Sequence, residues 1–138
     1  MPPDFRRRTM SIGASRAGRA KAGSSQRALA SLIAHTAGTL AESHDGVVVV
    51  HGTDRLAVSG HRTCDLFPTP ARPIVFTGAM RPYELRTTDA VQNVTEALLS
   101  VQLLPPGVYV AMHNRVLAFP GVEKDRVHGT FVRIGDVR

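Results

Sequence analysis

The chain has 138 residues, 43% of them hydrophobic, a formal net charge of +6 and one cysteine. That length suits one domain with one sizeable core, and a lone Cys64 excludes an internal disulfide and suits a reducing compartment, the cytoplasm. The excess charge does not mark a nucleic-acid surface, because seven of the 17 basic residues precede residue 28 against Asp4 alone, while residues 28–138 carry ten basic and ten acidic residues.

Residues 1–24 are rich in Arg, Ser, Ala and Gly, and hold no apolar run able to offset the entropy of ordering. They are predicted to be a basic, disordered tail ahead of a domain over residues 25–138. Nowhere does an apolar stretch approach the roughly 18 residues that span a bilayer. Ser24 or Ser25 can cap a helix whose Leu29, Leu32, Ile33 and Leu40 recur about once per turn. Gly46 breaks it, and VVVV at residues 47–50 reads as a strand buried on both faces, as in the centre of a parallel sheet. Residues 56–67 are ambiguous and partly helical. PIVF at residues 73–76 is the second predicted strand. Thr87 or Thr88 can cap the next helix, with Asp89 at its positive end and Val91, Val94, Leu98 and Val101 facing the core. Pro105 and Pro106 stop it, and GVYVAM at residues 107–112 is the third strand.

Helices alternating with strands predict a three-layer α/β domain, Rossmann-like or flavodoxin-like, with a mostly parallel sheet between flanking helices. In such sheets ligands bind beyond the carboxyl ends of the strands. All three predicted strands run into polar, small or charged residues there: HGTD after VVVV, TGAMRP after PIVF, and HNR after YVAM. Gly52 allows a tight turn or close approach of a ligand, Thr53 supplies a hydroxyl and Asp54 a carboxylate. On these four letters alone, capping of the following helix by Thr53 and Asp54 is the favoured reading.

VVVVHGTD, PIVFTGAMRP and LLPPGVYVAMHNRVLAFPGVEKDRVHGTF together resemble the L-asparaginase family, in particular its short, single-domain bacterial members, over about residues 25–131. The resemblance implies cofactor-free and metal-free hydrolysis of a side-chain amide, asparagine to aspartate and ammonia. Thr53, Asp54 and Lys124 match a family triad in which the aspartate also holds the substrate's amino group, and a deprotonated lysine amine can take the proton of Thr53. Gly52, Thr53, Asp54, Thr77 and Gly78 are the implied substrate-binding residues, and Asp89 and Asn93 match a polar pair that supports them.

The chain also departs from that pattern. The family's TGGT motif, source of the acyl-forming threonine, does not occur, and the N-terminal segment offers only Thr9 and Ser11 in its place, with no apolar strand before them, so the first strand is expected to be missing. Arg55 follows Asp54 where the family has threonine, His113 and Asn114 replace Asn and Gly, and the C-terminal domain of full-length relatives is not expected here. Loss of a covalent nucleophile commonly costs about 10⁴ to 10⁶ in rate. Two readings therefore stand: an impaired amidohydrolase, or a non-catalytic amino-acid-binding relic. The six histidines show no HxxxH or HxH spacing, and no GxGxxG or GxxxxGK[ST] occurs, so no metal, cofactor, nucleic acid or membrane is expected as partner. An unpaired strand edge left by the missing first strand points to homo-oligomerisation as one way of covering it.

Overall fold

The computed structural model describes residues 9–13 and 23–136. The elements run β1 (Thr9–Gly13), α1 (Ser24–Ser43), β2 (Gly46–Val50), α2 (Thr53–Leu66), β3 (Ile74–Thr77), α3 (Ala90–Leu103), β4 (Val108–Met112), β5 (Arg115–Ala118), β6 (Val122–Asp125) and β7 (Thr130–Arg133). Strands β1 to β5 form one sheet in chain order, parallel through β4 and antiparallel at β5, while β6 and β7 form a separate antiparallel pair. The three-layer α/β expectation matches this architecture.

The valine strand is central because both of its faces are covered. Val47 and Val49 join Ile33 and Ala37 of α1, Leu56 of α2, and Val122 and Phe131 of the small sheet in one core, whereas Val48 packs with Ala97 and Val101 of α3 in another. All three valines are at most 1% exposed. Period-two alternation thus divides one apolar run between two cores, which is why the sequence reads as continuous.

A strand precedes the first helix, contrary to expectation. Thr9–Gly13 lies parallel to β2, with Thr9 opposite Gly46 and Gly13 opposite Val50. Edge pairing uses backbone groups on one side only, so five residues without a long apolar run suffice. The edge of β2 is consequently paired, which removes the argument for oligomerisation drawn from a missing strand. The disorder expected elsewhere in residues 1–22 concerns positions outside the described residues.

Helices α1 and α3 keep Ile33 and Val101 of their expected stripes in the core, with Leu40 packed against it, but turn Leu29, Leu32, Val91 and Leu98 outward. On α1 the buried residues are Ala30, Ile33, Ala34, Ala37, Gly38 and Ala41, while Leu32 is 63% exposed. Small side chains let α1 approach closely: a Cβ on Gly38 would strike the Phe67 ring. On α3 the buried positions are Asn93, Ala97 and Val101, and Val91 is 62% exposed. Asn93 turns inward because its amide is needed between strand ends. Helix α2 resolves the ambiguous stretch as a full helix, and its Gly60 lies against Phe119, where a Cβ would overlap the ring.

Replacing Gly60 by Ala should therefore destabilise the protein, because overpacking costs about 1–3 kcal/mol and outweighs a helix-propensity gain of at most about 1 kcal/mol. Chemical denaturation of Gly60→Ala checks this, and a variant more stable than wild type would contradict the packing described.

Candidate active site

At the carboxyl end of β2 the chain leaves the sheet abruptly. His51 N–H donates to Thr77 O at 2.8 Å, prolonging the pairing of β2 with β3, and Gly52 then becomes the N-cap of α2 in an extended conformation. A Cβ on Gly52 would meet nothing, so open space lies over this turn. Neither Thr53 nor Asp54 caps the helix, since no side-chain cap hydrogen bond forms there. They occupy its first turn instead, where the carboxylate complements the helix dipole. Gly78 lies beneath them: a Cβ there would overlap the His51 carbonyl and come within 3.3 Å of Thr53 Cγ2.

Lys124 reaches this turn from the small sheet. Alternation along β6 puts Val122 and Lys124 on one side, Val122 in the core and Lys124 toward α2. Lys124 Nζ donates to Thr53 Oγ1 at 2.9 Å and to Asp54 Oδ1 at 2.9 Å. Its side chain is only 16% exposed, against 72% for Asp54. Arg126 Nη1 also donates to Asp54 Oδ1, at 3.1 Å. The hydrogen bond and charge of Lys124, with a smaller contribution from Arg126, hold the Asp54 carboxyl below its ordinary range. Asp54 therefore stays ionised through neutral pH, and the pair loses strength only as pH falls through that lowered value; solvent screening keeps its stabilising effect small.

A relay between α2 and the turn before β6 sets the height of Lys124. His61 Nδ1–H donates to Ala57 O at 2.7 Å, leaving Nε2 to accept Gly121 N–H at 3.1 Å. Gly121 follows the cis Phe119–Pro120 bond and has a φ of 89°, a conformation glycine takes without strain. No sequence signal announces His61 or Arg126: their partners lie 60 and 72 residues away.

Thr77, expected to bind substrate, is fully buried, with its hydroxyl 2.9 Å from Ala111 O and 3.2 Å from Asn93 O. It braces the sheet and does not face the rim. Gly78 is buried as well, and its carbonyl accepts Asn93 Nδ2–H at 2.9 Å. Asp89 and Asn93 form a polar junction with His113. Asn93 Nδ2–H donates to Asp89 at 2.8 Å, Asn93 Oδ1 accepts His113 N–H at 3.2 Å, and Asp89 accepts the Met80 and Arg81 N–H groups at 3.0 Å. His113 Nε2–H donates to Asp89 at 2.7 Å, so Nδ1 can accept the Thr130 hydroxyl at 3.1 Å. Burial alone would raise the Asp89 carboxyl; these hydrogen bonds outweigh it and hold the group well below the usual carboxylate range. His113 and Asn114 have positive φ values of 51° and 61°, forming the tight turn between β4 and β5 that an Asn-Gly pair would form with less strain.

His51 is a packing histidine. Its Nδ1–H donates to Gly52 O at 2.8 Å, its Nε2 accepts the Ser59 hydroxyl at 2.9 Å, and burial pushes its pKa down. Beside it a cavity of about 280 Å³ opens between α1 and α2, lined by Arg27, Leu29, Ala30, His51, Arg55 and Ser59 among others. Among the described residues no group of three or more His, Cys, Asp or Glu is arranged to hold a metal ion, and no helix is long and apolar enough to cross a membrane.

Comparison with known proteins follows the same outline. The family model "Asparaginase, N-terminal" matches residues 22–131. An L-asparaginase of Thermococcus kodakarensis is 33% identical over 87 residues, covering 63% of this chain and 26% of the relative. One component of the Glutamyl-tRNA(Gln) amidotransferase of Haloquadratum walsbyi is 37% identical over 82 residues, covering 59% of this chain and 18% of the relative. Among solved structures, the thermostable T. kodakarensis L-asparaginase superposes with a TM-score of 0.69 at 27% identity, over 78% of this chain and 34% of that one. L-asparaginase I of Vibrio cholerae gives 0.70 at 25%, over 78% and 33%. The chain thus spans about a third or less of the length of these relatives.

The Asp89 junction yields a stability prediction. A carboxyl depressed by folding contributes stability that is present above its unfolded value and lost as pH falls through its folded one. Asp89→Asn should cost about 1–3 kcal/mol at pH 7, as charge-assisted bonds weaken around a mostly buried group. The difference from wild type should shrink progressively below about pH 4. Denaturant melts at pH 7 and pH 3 check this; a difference that does not change with pH would contradict it.

Proposed function

The chain belongs to the asparaginase family, through that family's N-terminal domain, and on that premise we propose that it is an amidohydrolase that cleaves the side-chain amide of asparagine or a related compound to the acid and ammonia. The observation that carries this reading is the position of Lys124 Nζ, 2.9 Å from both the Thr53 hydroxyl and the Asp54 carboxylate. A hydroxyl becomes a nucleophile when a neighbouring base removes its proton, and an amine held on the oxygen itself is within reach to do so. In the proposed step Thr53 Oγ1 forms a bond to the amide carbon while its proton passes to the Lys124 amine. The tetrahedral intermediate then collapses, and the amide nitrogen leaves with that proton as ammonia. Water hydrolyses the resulting ester by the reverse proton route, releasing the acid and restoring Thr53. Asp54 fixes Lys124 in line and offsets the charge it acquires. The helix dipole at the start of α2 favours the negative charge developing on the carbonyl oxygen.

The absence of TGGT supports a second reading, in which the same turn binds an amino acid without cleaving it. In the first reading Thr53 takes over the role of nucleophile, and the two readings separate on turnover. A small-molecule amide is the proposed partner in the first, an acid or amide ligand in the second. Cys64 as the single cysteine supports a cytoplasmic setting for either.

Ammonia release from asparagine by the purified protein tests the assignment. Thr53→Ala and Lys124→Met should each lower it by about 10³-fold or more, because members of such a unit fail together. Unchanged release in Thr53→Ala would remove the nucleophile assignment. Ligand binding with no release by wild type would favour the binding module.

A further inference from the structure

A second hydroxyl, apart from the Thr53 turn, meets the geometric conditions for a nucleophile. Asp89, His113 and Thr130 form one hydrogen-bonded chain, with His113 Nε2 2.7 Å from Asp89 Oδ2 and His113 Nδ1 3.1 Å from Thr130 Oγ1. An ionised carboxylate has no proton to give, so the ring proton sits on Nε2, and the lone pair of Nδ1 meets the Thr130 hydroxyl. A hydroxyl within reach of a base whose other nitrogen is oriented by a third group is an activated nucleophile by geometry, whatever the positions in the chain. Here the members lie 24 and 17 residues apart, brought together at the end of β4.

Each member is held for its part. Asp89 also accepts the Met80 and Arg81 N–H groups and the Asn93 amide, which keep it charged and stationary beside the ring. The His113 side chain is 28% exposed and Thr130 is half-buried at the start of β7, so this hydroxyl and its base reach the surface, unlike the fully buried Thr77. In the small sheet Thr130 stands opposite Asp125, and Phe131 stands opposite Lys124. Opposed residues share a face and successive ones alternate, so Thr130 and Lys124 lie on opposite faces of the pair. The asparagine that His113 replaces could also donate to Asp89, but an amide cannot take up a proton, and an imidazole can.

We propose that Thr130 is a second nucleophile, activated by His113 and Asp89, and that it hydrolyses small uncharged carboxylic esters. Thr130 Oγ1 forms a bond to the ester carbonyl carbon as its proton passes to His113 Nδ1. The tetrahedral intermediate expels the alcohol, which leaves with that proton. Water then adds to the acyl-threonine and gives a proton to Nδ1, and this proton returns to Thr130 as the carboxylic acid departs. Asp89 keeps the imidazole in the required tautomer and offsets the charge it gains. Two ionised carboxylates, Asp89 beyond the ring and Asp125 across the strand pair, disfavour an anionic ester, and a half-buried hydroxyl admits a small acyl group. No step uses Thr53 or Lys124, so this activity is independent of the amide-cleaving reading.

Nitrophenolate release from p-nitrophenyl acetate by the purified protein tests this. Thr130→Ala and His113→Asn should each lower the release by about 10²-fold or more, the least that a positioned general base commonly contributes. His113→Asn separates chemistry from packing, because asparagine accepts the positive φ of 51° at this position and can still donate to Asp89. Thr130→Ser, which keeps the hydroxyl, should retain the release. Release unchanged in either Thr130→Ala or His113→Asn, or lost equally in Thr130→Ser and Thr130→Ala, would overturn the proposal. Ammonia release from asparagine by the same wild-type preparation reports the Thr53 site separately. Ester cleavage that depends on Thr130 and His113, without ammonia release, keeps this inference and removes the amide-cleaving reading, whereas ammonia release with no such ester cleavage does the reverse.

Discussion

One lysine amine, held between a hydroxyl and a carboxylate from another part of the chain, is the contact on which this site depends. Lys124 is separated from Thr53 and Asp54 by 71 and 70 residues. No local preference can bring such groups together; only the complete fold does. The valine strand delivers the start of α2 to the rim, the close packing of Gly60 on Phe119 and the His61–Gly121 bond fix the turn before β6, and the strand's alternation then turns Lys124 inward. Each link is backbone geometry or dense packing, so the amine is placed by rigid elements and not by a flexible loop.

The same logic explains the polar junction on the other side of the rim. Asn93 would be costly at the buried face of α3 if its amide were unpaired. Its bonds to Gly78 O, Asp89 and His113 N–H tie three chain segments that all end near the candidate site. No buried side-chain nitrogen or oxygen among the described residues lacks a partner. Satisfaction of this kind makes a polar cluster a brace, and it explains how Thr77 and Asn93 stabilise the strand ends.

How far the sequence discloses all this depends on whether a feature is local. VVVVHGTD announces a buried strand ending at a polar turn, and the alternation of elements announces a parallel sheet; both follow from short-range pattern. The helix faces mislead because leucine spacing points to one stripe while close packing selects the small residues of another. On α1 the alanines and Gly38 are buried since only they permit close approach, and on α3 Asn93 turns inward to meet Gly78 and His113 from two other segments and Asp89 at its own helix start. Thr9–Gly13 is hidden within a basic segment because an edge strand needs backbone pairing more than apolar bulk. Arg126 escapes notice for another reason: an arginine in a turn looks like any surface charge until the fold sets it 3.1 Å from Asp54. The pairing of Thr53 with Lys124 is accessible only through family resemblance, since nothing in VEKD distinguishes this lysine from a solvated one.

The most direct measurement follows the Asp54 side-chain carboxyl carbon by NMR as pH is lowered, in wild type and in Lys124→Met. If Lys124 sits on Asp54 as described, the wild-type midpoint lies below that of a free aspartate and moves up toward it in the variant. An ordinary wild-type midpoint that the substitution leaves unchanged would mean that the amine does not rest on Asp54, and the amide-cleaving reading would fall with it.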